Sequence, residues 1–382
     1  MYSVHSYGQM LADAPRMDAY VAALRQTVRP GSVVLDLGSG PGVFALLACK
    51  LGARRVYAVE PDNVIQLARE AAHANGFADR IECIQNFSTE ITLPEQVDVI
   101  VSDLRGMLPW FQQHIPSIQD ARNRMLAPGG VLIARRDTLW AAVVEAPERH
   151  NEIVAPWQRG ELDFDLSAAL RVVTNTWRKA RIKPDELLAQ PVCWATLDYY
   201  EVESPDIRAE ISWLAARPGT AHGFSVWFDS ELADGIGFSN RPGAPELIYG
   251  SALFPFSEPV DVAAGDRIDV SIRADLIGED YVWRWNTIIF ARGESAHPKA
   301  TFRQSTFFGV PLSPEQLRKQ AAGYVPTLNQ RGQTRTHILQ LMNGENSLED
   351  IALRLVERFP KRYADWKEAL NDVSAAAREF SQ

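Results

Sequence analysis

From Val33 to Gly42 the chain reads VVLDLGSGPG, and from Val56 to Glu60 it reads VYAVE. An apolar strand runs into a glycine-rich turn, a helix follows, and a second apolar strand ends on an acid. Gly38, Gly40 and Gly42 let the backbone approach a ligand closely. The third glycine falls one residue early for the dinucleotide fingerprint G-x-G-x-x-G. Asp36 would repel a pyrophosphate in that turn and suits a ligand with a positive amino group. Glu60 is placed to accept hydrogen bonds from two ribose hydroxyls. An ammonium, a carboxylate, a ribose and no phosphate together describe S-adenosylmethionine, so the turn predicts a methyl-donor site with Asp36, Gly38, Gly40, Gly42 and Glu60 around it.

The elements that must hold this turn alternate. Strands are expected at 33–37, 56–60, 80–84, 97–102 and 131–134, with helices at 43–51 and 63–75, the second capped by Asp62. Alternation of this kind predicts a parallel sheet covered on both faces. From about 141 to 310 short β-rich runs are separated by turn residues, at 192–199, 223–228, 247–254, 267–272 and 281–289, which predicts an antiparallel barrel or sandwich. A helix-like stretch at 165–183 interrupts it. The last 60 or so residues return to helical spacing. Asn343-Gly344 stops one helix, Ser347 and Asp350 form a capping box for the next, and Asp365 opens a third.

A length of 382 residues predicts two or three domains. The expected division is 1–140, a donor-binding Rossmann-like domain; 141–310, a β-barrel substrate domain; 311–330, a linker; and 331–382, a helical module. A formal net charge of −9 argues against bulk attraction to nucleic acid or an anionic membrane. No apolar run reaches the ~18 residues that span a bilayer, and the N-terminus lacks a signal peptide's pattern. Cys49, Cys83 and Cys193 are widely spaced and read as buried, reduced thiols of a cytoplasmic protein. The seven histidines show no metal-ligand spacing, so no metal is expected. His114 reads as a surface or helix-start residue, and Trp110, Trp283 and Trp285 as core.

Residues 1–310 resemble the protein arginine methyltransferases. The residues that carry the resemblance are Met10, Leu11, Asp13 and Arg16 (M-L-x-D-x-x-R), Val34–Gly42, Val59-Glu60, the run HGFSVWFD at 222–229, and Phe238-Ser239. The resemblance implies a class I methyltransferase: an α/β Rossmann-like domain followed by an antiparallel β-barrel. It gives Arg16 the donor carboxylate, for which a guanidinium fork is suited, and Ser88 with Thr89 the adenine edge. It makes 165–183 a dimerisation arm and the protein a homodimer.

The departures fall at the acceptor loop. The family holds a guanidinium between two glutamates of one loop. Here the loop, 102–112, reads SDLRGMLPWFQ, so Asp103 is a shortened first acid and the neutral Gln112 stands at the second. Arg105 adds a positive charge, where a cationic acceptor wants paired carboxylates. The family's T-H-W loop has its counterpart in Leu247, Ile248 and Tyr249. Asp103 and Gln112 are the candidate residues at the reacting centre, with Asp103 orienting the nucleophile or taking its proton.

Residues 338–380 resemble the winged-helix peptide-binding domains of the PqqD type, through L-x-x-x-x-G, S-L-x-D-I-A, Phe359 and Val373. That resemblance implies a peptide natural-product precursor, or a small molecule, as methyl acceptor. The readings carried forward are an active methyltransferase on such an acceptor, a donor-binding scaffold without activity, and an arginine methyltransferase with a divergent clamp.

Overall fold

The computed structural model describes residues 3–158 and 163–381, divided into two compact units, Met1–Pro311 and Leu312–Gln382. The first unit opens with two helices, α1 (Val4–Ala12) and α2 (Ala14–Thr27). Asp13 separates them and caps the second, accepting the Arg16 backbone N–H. Five strands follow: β1 (Val33–Leu37), β2 (Arg55–Val59), β3 (Ile81–Ile84), β4 (Val97–Ser102) and β5 (Leu126–Ile133). They form one parallel sheet in the order β3-β2-β1-β4-β5. Every residue of β1 is buried, as a central strand covered on both faces requires. Helices α3 (Val43–Lys50), α4 (Ile65–Ala74) and α5 (His114–Arg124) link the strands. The order reverses between β1 and β4, and the crevice at the strands' carboxyl ends is where such sheets bind ligands.

The strands sit within a residue or two of expectation, except that β5 begins earlier. Helix α4 starts at Ile65, two residues later than expected, because Asp62 spends its side chain on the Val64 N–H and its carbonyl on Ile65.

The rest of the first unit is mostly antiparallel. Its strands are β6 (Arg136–Val144), β7 (Arg178–Ala180), β8 (Val192–Asp198), β9 (Ile207–Leu214), β10 (Gly219–Ala233), β11 (Ile236–Ser239), β12 (Ser251–Val262), β13 (Arg267–Ile277), β14 (Asp280–Phe290) and β15 (Pro298–Ser305). They pair as two sheets, β7-β12-β10-β6-β8 with β11 on β10, and β15-β14-β13-β9. The expected barrel or sandwich is thus an antiparallel β domain whose described strands pair as two sheets. Register shifts in β10 against β12 and in β14 against β15 mark bulges that bend the long strands. Trp110, Trp283 and Trp285 are core residues. Between β6 and β7 lie α6 (Pro147–Val154) and α7 (Leu170–Val173). Residues 159–162, beside the predicted arm, lie outside the described residues. Cys193 corrects the expectation of buried thiols: it is exposed, while Cys49 is buried and Cys83 half-buried, and all three are free.

The second unit holds α8 (Pro314–Gln320), α9 (Gln330–Leu341), α10 (Leu348–Arg358) and α11 (Trp366–Phe380). Ile338, Ile351, Ala352, Leu355, Tyr363, Ala369, Val373 and Ala376 make its core. The Ser347–Asp350 capping box forms. Among the described residues this unit has no strand, so the wing of a winged helix is absent there and the module is helical. No helix among the described residues is long and apolar enough to cross a membrane.

Candidate active site

A cavity of about 790 Å³ opens where the ends of β1, β2 and β4 meet α1, the 103–114 loop and residues 248–249. That volume lies within the ~300–1,000 Å³ of small-molecule sites. The glycine turn makes one wall. Gly38 and Gly40 line it with φ of 71° and 51°, in the region that favours glycine. A Cβ on Gly40 would stand 2.7 Å from the Tyr7 ring, so a side chain there would displace the helix α1 side of the cavity. Ser39 lines the same wall, and its buried Oγ has no hydrogen-bond partner.

Glu60 closes the next side. Its Oε2 accepts the Gly40 N–H at 3.1 Å and its Oε1 the Asp62 N–H at 3.0 Å. Burial raises its carboxyl above the ordinary value, against those two N–H groups. Ser88 lies on the cavity wall with Asn86 and Phe87.

Asp36 and Gly42 lie behind the turn rather than on the cavity wall. The buried Asp36 carboxylate accepts the Ala45 N–H at 2.9 Å, tying the turn to the start of α3. Burial pushes its carboxyl up to about 7. At Gly42 a Cβ would meet the Ala68 Cβ at 2.7 Å, so this glycine seats α3 against α4. Both residues shape the glycine wall from beneath.

At the opposite end the acceptor loop meets α2 and Tyr249. Arg16, lining the cavity, donates from Nε to Asp103 Oδ2 at 2.7 Å and to the Tyr249 hydroxyl at 3.0 Å. Its Nη2 makes an ion pair with the same carboxylate, and its Nη1 donates to the Met10 carbonyl at 3.1 Å. The Tyr249 hydroxyl donates to Asp103, 2.8 Å from Oδ1 and 2.6 Å from Oδ2. Burial opposes the charge on Asp103, but Arg16 and Arg105, with the Tyr249 bond, outweigh it and hold the carboxyl below its usual range. Gln112 lines the cavity with φ 43°, a left-handed turn that redirects the loop into α5. The two candidate residues of the reacting centre thus share one cavity end, and Asp103 has both oxygens engaged by the protein.

Arg105 is buried beside them. Its Nη1 donates to Asp137 at 3.1 Å and bonds Ser230, its Nε lies 3.6 Å from Asp103, and Phe228 and Phe238 lie under its guanidinium. His114, also on the cavity wall, is buried rather than at the surface. Its Nε2 lies 2.8 Å from the Tyr199 hydroxyl, which donates to Asp137 at 2.6 Å. Since that hydroxyl's proton goes to Asp137, the His114 proton sits on Nε2.

Tyr249's bond to Asp103, the buried site of Arg105 and the presence of Lys179 on the cavity wall were not foreseen. Tyr249 and Asp103 are 146 positions apart, and only the counterpart of the T-H-W loop pointed there.

Residues 18–160 match the family model described as ribosomal protein L11 methyltransferase, and residues 135–278 the one described as the arginine methyltransferase oligomerization subdomain. Human protein arginine N-methyltransferase 2 is 31% identical over 293 residues, which cover 72% of this chain and 67% of that one. This chain belongs to the protein arginine methyltransferase family. The family is one of class I, S-adenosylmethionine-dependent methyltransferases. A probable protein arginine N-methyltransferase 6 from Arabidopsis thaliana is 28% identical over 246 residues, covering 60% of this chain and 56% of that one, so the chain spans little more than half of that relative. Among solved structures, the Trypanosoma brucei PRMT1 enzyme–prozyme complex with AdoHcy has TM-score 0.70 at 22% identity, covering 80% of this chain and 98% of that one. Arabidopsis thaliana protein arginine methyltransferase 10 has TM-score 0.69 at 23% identity, covering 79% and 97%. These likenesses establish the fold of a methyltransferase of this family, the parallel sheet followed by the antiparallel domain.

Proposed function

We propose that this chain transfers a methyl group from S-adenosylmethionine to an acceptor other than a guanidinium. The observation that carries the reading is Asp103. Its two oxygens are taken by Arg16 and Tyr249, Gln112 on the same cavity is neutral, and Arg105 places a cation in the same loop. A guanidinium needs free carboxylates, and this cavity end offers none. The donor, when bound, supplies an electrophilic methyl on a sulfonium. The glycine wall at Gly38 and Gly40 admits its amino-acid part, Glu60 holds the ribose hydroxyls, Ser88 borders the adenine, and Arg16 receives the carboxylate through its outer N–H groups. Asp36 and Gly42 keep the turn in shape. Asp103 positions Arg16 and Tyr249, and the rate comes from aligning nucleophile and methyl, which can supply ~7–11 kcal/mol at best.

The wider assignment includes the division 1–140, 141–310, 311–330 and 331–382, with the antiparallel domain as an open barrel. It includes a homodimer through 165–183, in keeping with the oligomerization subdomain matched at 135–278, and a cytoplasmic location. It also includes a peptide acceptor presented by the C-terminal helices, a natural-product precursor being the case their sequence pattern suggests. The test is a mass-spectrometric search for products heavier by one methylene after incubating extract of the source cells with protein and donor. New +14 products without methylarginine support the proposal. Methylarginine returns the chain to its relatives' named acceptor, and tight donor binding without any transfer supports a scaffold.

A further inference from the structure

The acceptor end carries more positive than negative charge, and this bears on the substrate class. Its walls are residues 103–107, 111–114, 179, 248 and 249. The charged side chains there are Asp103, Arg105 and Lys179, with Arg16 adjoining and Asp137 behind Arg105. The lining cations Arg105 and Lys179, with Arg16, thus face one lining carboxylate, Asp103, while Asp137 and Asp13 lie behind the wall, Asp13 accepting the Ile248 N–H; each carboxylate is already bound. Asp103 is held by Arg16 and Tyr249, and Asp137 by Arg105 and Tyr199. The Arg105 side chain is fully buried, and although it is ion-paired to Asp137 and Asp103, its Nε and Nη2 have no hydrogen-bond partner, so N–H groups of a cation are left without an acceptor. Lys179, exposed where it joins the cavity wall, donates to the Ile248 carbonyl and sets a second positive charge beside Tyr249.

We propose that the acceptor site takes an anion, with a carboxylate-bearing molecule as the recognised class, and that Arg105 and Lys179 set this specificity. The inference rests on the donor-site reading above. Burying a cationic acceptor against Arg105 would place like charges together where no carboxylate is free to receive it, which disfavours it. An anion answers the excess charge of the site and is drawn toward a sulfonium. Its chemistry also suits the residues present. The acceptor's lone pair forms the new bond to the methyl carbon while the carbon–sulfur bond breaks with its pair going to sulfur. When the nucleophile is already anionic, no proton has to leave. Asp103 is poorly placed to accept one, having both oxygens occupied. Burial, with Arg105 nearby, depresses His114 to about 3, leaving it a weak base.

The test uses three probes that share one aromatic ring and differ in charge: benzoate, phenol and benzylguanidine. Each is titrated by calorimetry into the full chain saturated with S-adenosylhomocysteine, which fills the donor end. The expected order is benzoate, phenol, benzylguanidine, with at least tenfold between first and last. Lys179→Gln should weaken benzoate at least threefold and leave phenol unchanged. Arg105→Met combined with Asp137→Asn, which leaves no buried charge unpaired, should do the same. Phenol or benzylguanidine binding as well as benzoate, or neither variant altering benzoate, overturns the inference. Failure of S-adenosylhomocysteine itself to bind would strike the donor-site reading instead, and the same series without it still reads the charge preference.

Discussion

Glu60 and Asp103 put the same functional group, a carboxylate, at two places in one cavity. Glu60 holds two backbone N–H groups of the donor wall and is the side chain assigned to the ribose. Glu60→Ala should lower affinity for S-adenosylhomocysteine at least tenfold, about 1.4 kcal/mol, as read by calorimetry; unchanged affinity would refute the ribose assignment. Asp103 is held within the protein by Arg16 and Tyr249. Tyr249→Phe deletes one buried partner and should cost about 1–3 kcal/mol in urea denaturation; no loss would show that the contact is idle. Asp36 supplies a pH signature. Its folded value of about 7 lies above the ordinary 3.8, so its protonated form favours the fold. That contribution is complete below the ordinary value and is lost as pH rises through 7. The melting temperature of Asp36→Asn relative to the unaltered protein should therefore rise between pH 5 and pH 8, and a flat or falling difference would contradict the burial argument.

At the scale of elements, the strand–turn–helix from β1 to α3 fixes the glycine wall of the cavity, to which the donor is assigned above. Gly40 has φ 51° and faces the Tyr7 ring, so Gly40→Ala is strained twice. It should cut donor affinity at least tenfold while thermal stability falls by only a few degrees, of the order of ~1–3 kcal/mol; full affinity would show that the turn does not need its close approach to α1. The turn was legible in the sequence because its signals are local, three glycines, an apolar strand and an acid after β2, but the sequence did not tell that Gly42 and Asp36 lie behind the wall that Gly38, Gly40 and Glu60 line. The antiparallel strands were legible as alternation, with a barrel or a sandwich both open, but which strands pair in which sheet was not, since pairing between distant strands leaves no local mark. The acceptor end was legible only as departures at Asp103, Arg105 and Gln112. Where Arg105 finds its partners depends on Asp137, Tyr199 and Ser230, which converge from β6, the end of β8 and β10. Cys193 was misread for a similar reason, because a small apolar residue on a strand gives no sign of which face meets solvent.

For the molecule as a whole, the donor cavity lies within the first unit, and the C-terminal helices have a core of their own. Removing residues 331–382 should leave S-adenosylhomocysteine affinity unchanged within twofold. If these helices present a peptide, the same deletion should lower turnover of a precursor peptide at least tenfold, and unchanged turnover would sink that role. On the function proposed above, this chain keeps the donor end of its family and has a changed acceptor end. The most direct test is transfer of a labelled methyl group from S-adenosylmethionine to an arginine-rich peptide, with protein shown to bind S-adenosylhomocysteine. No methylarginine above the enzyme-free background is expected. Methylarginine formed at many turnovers per protein would contradict the proposed function.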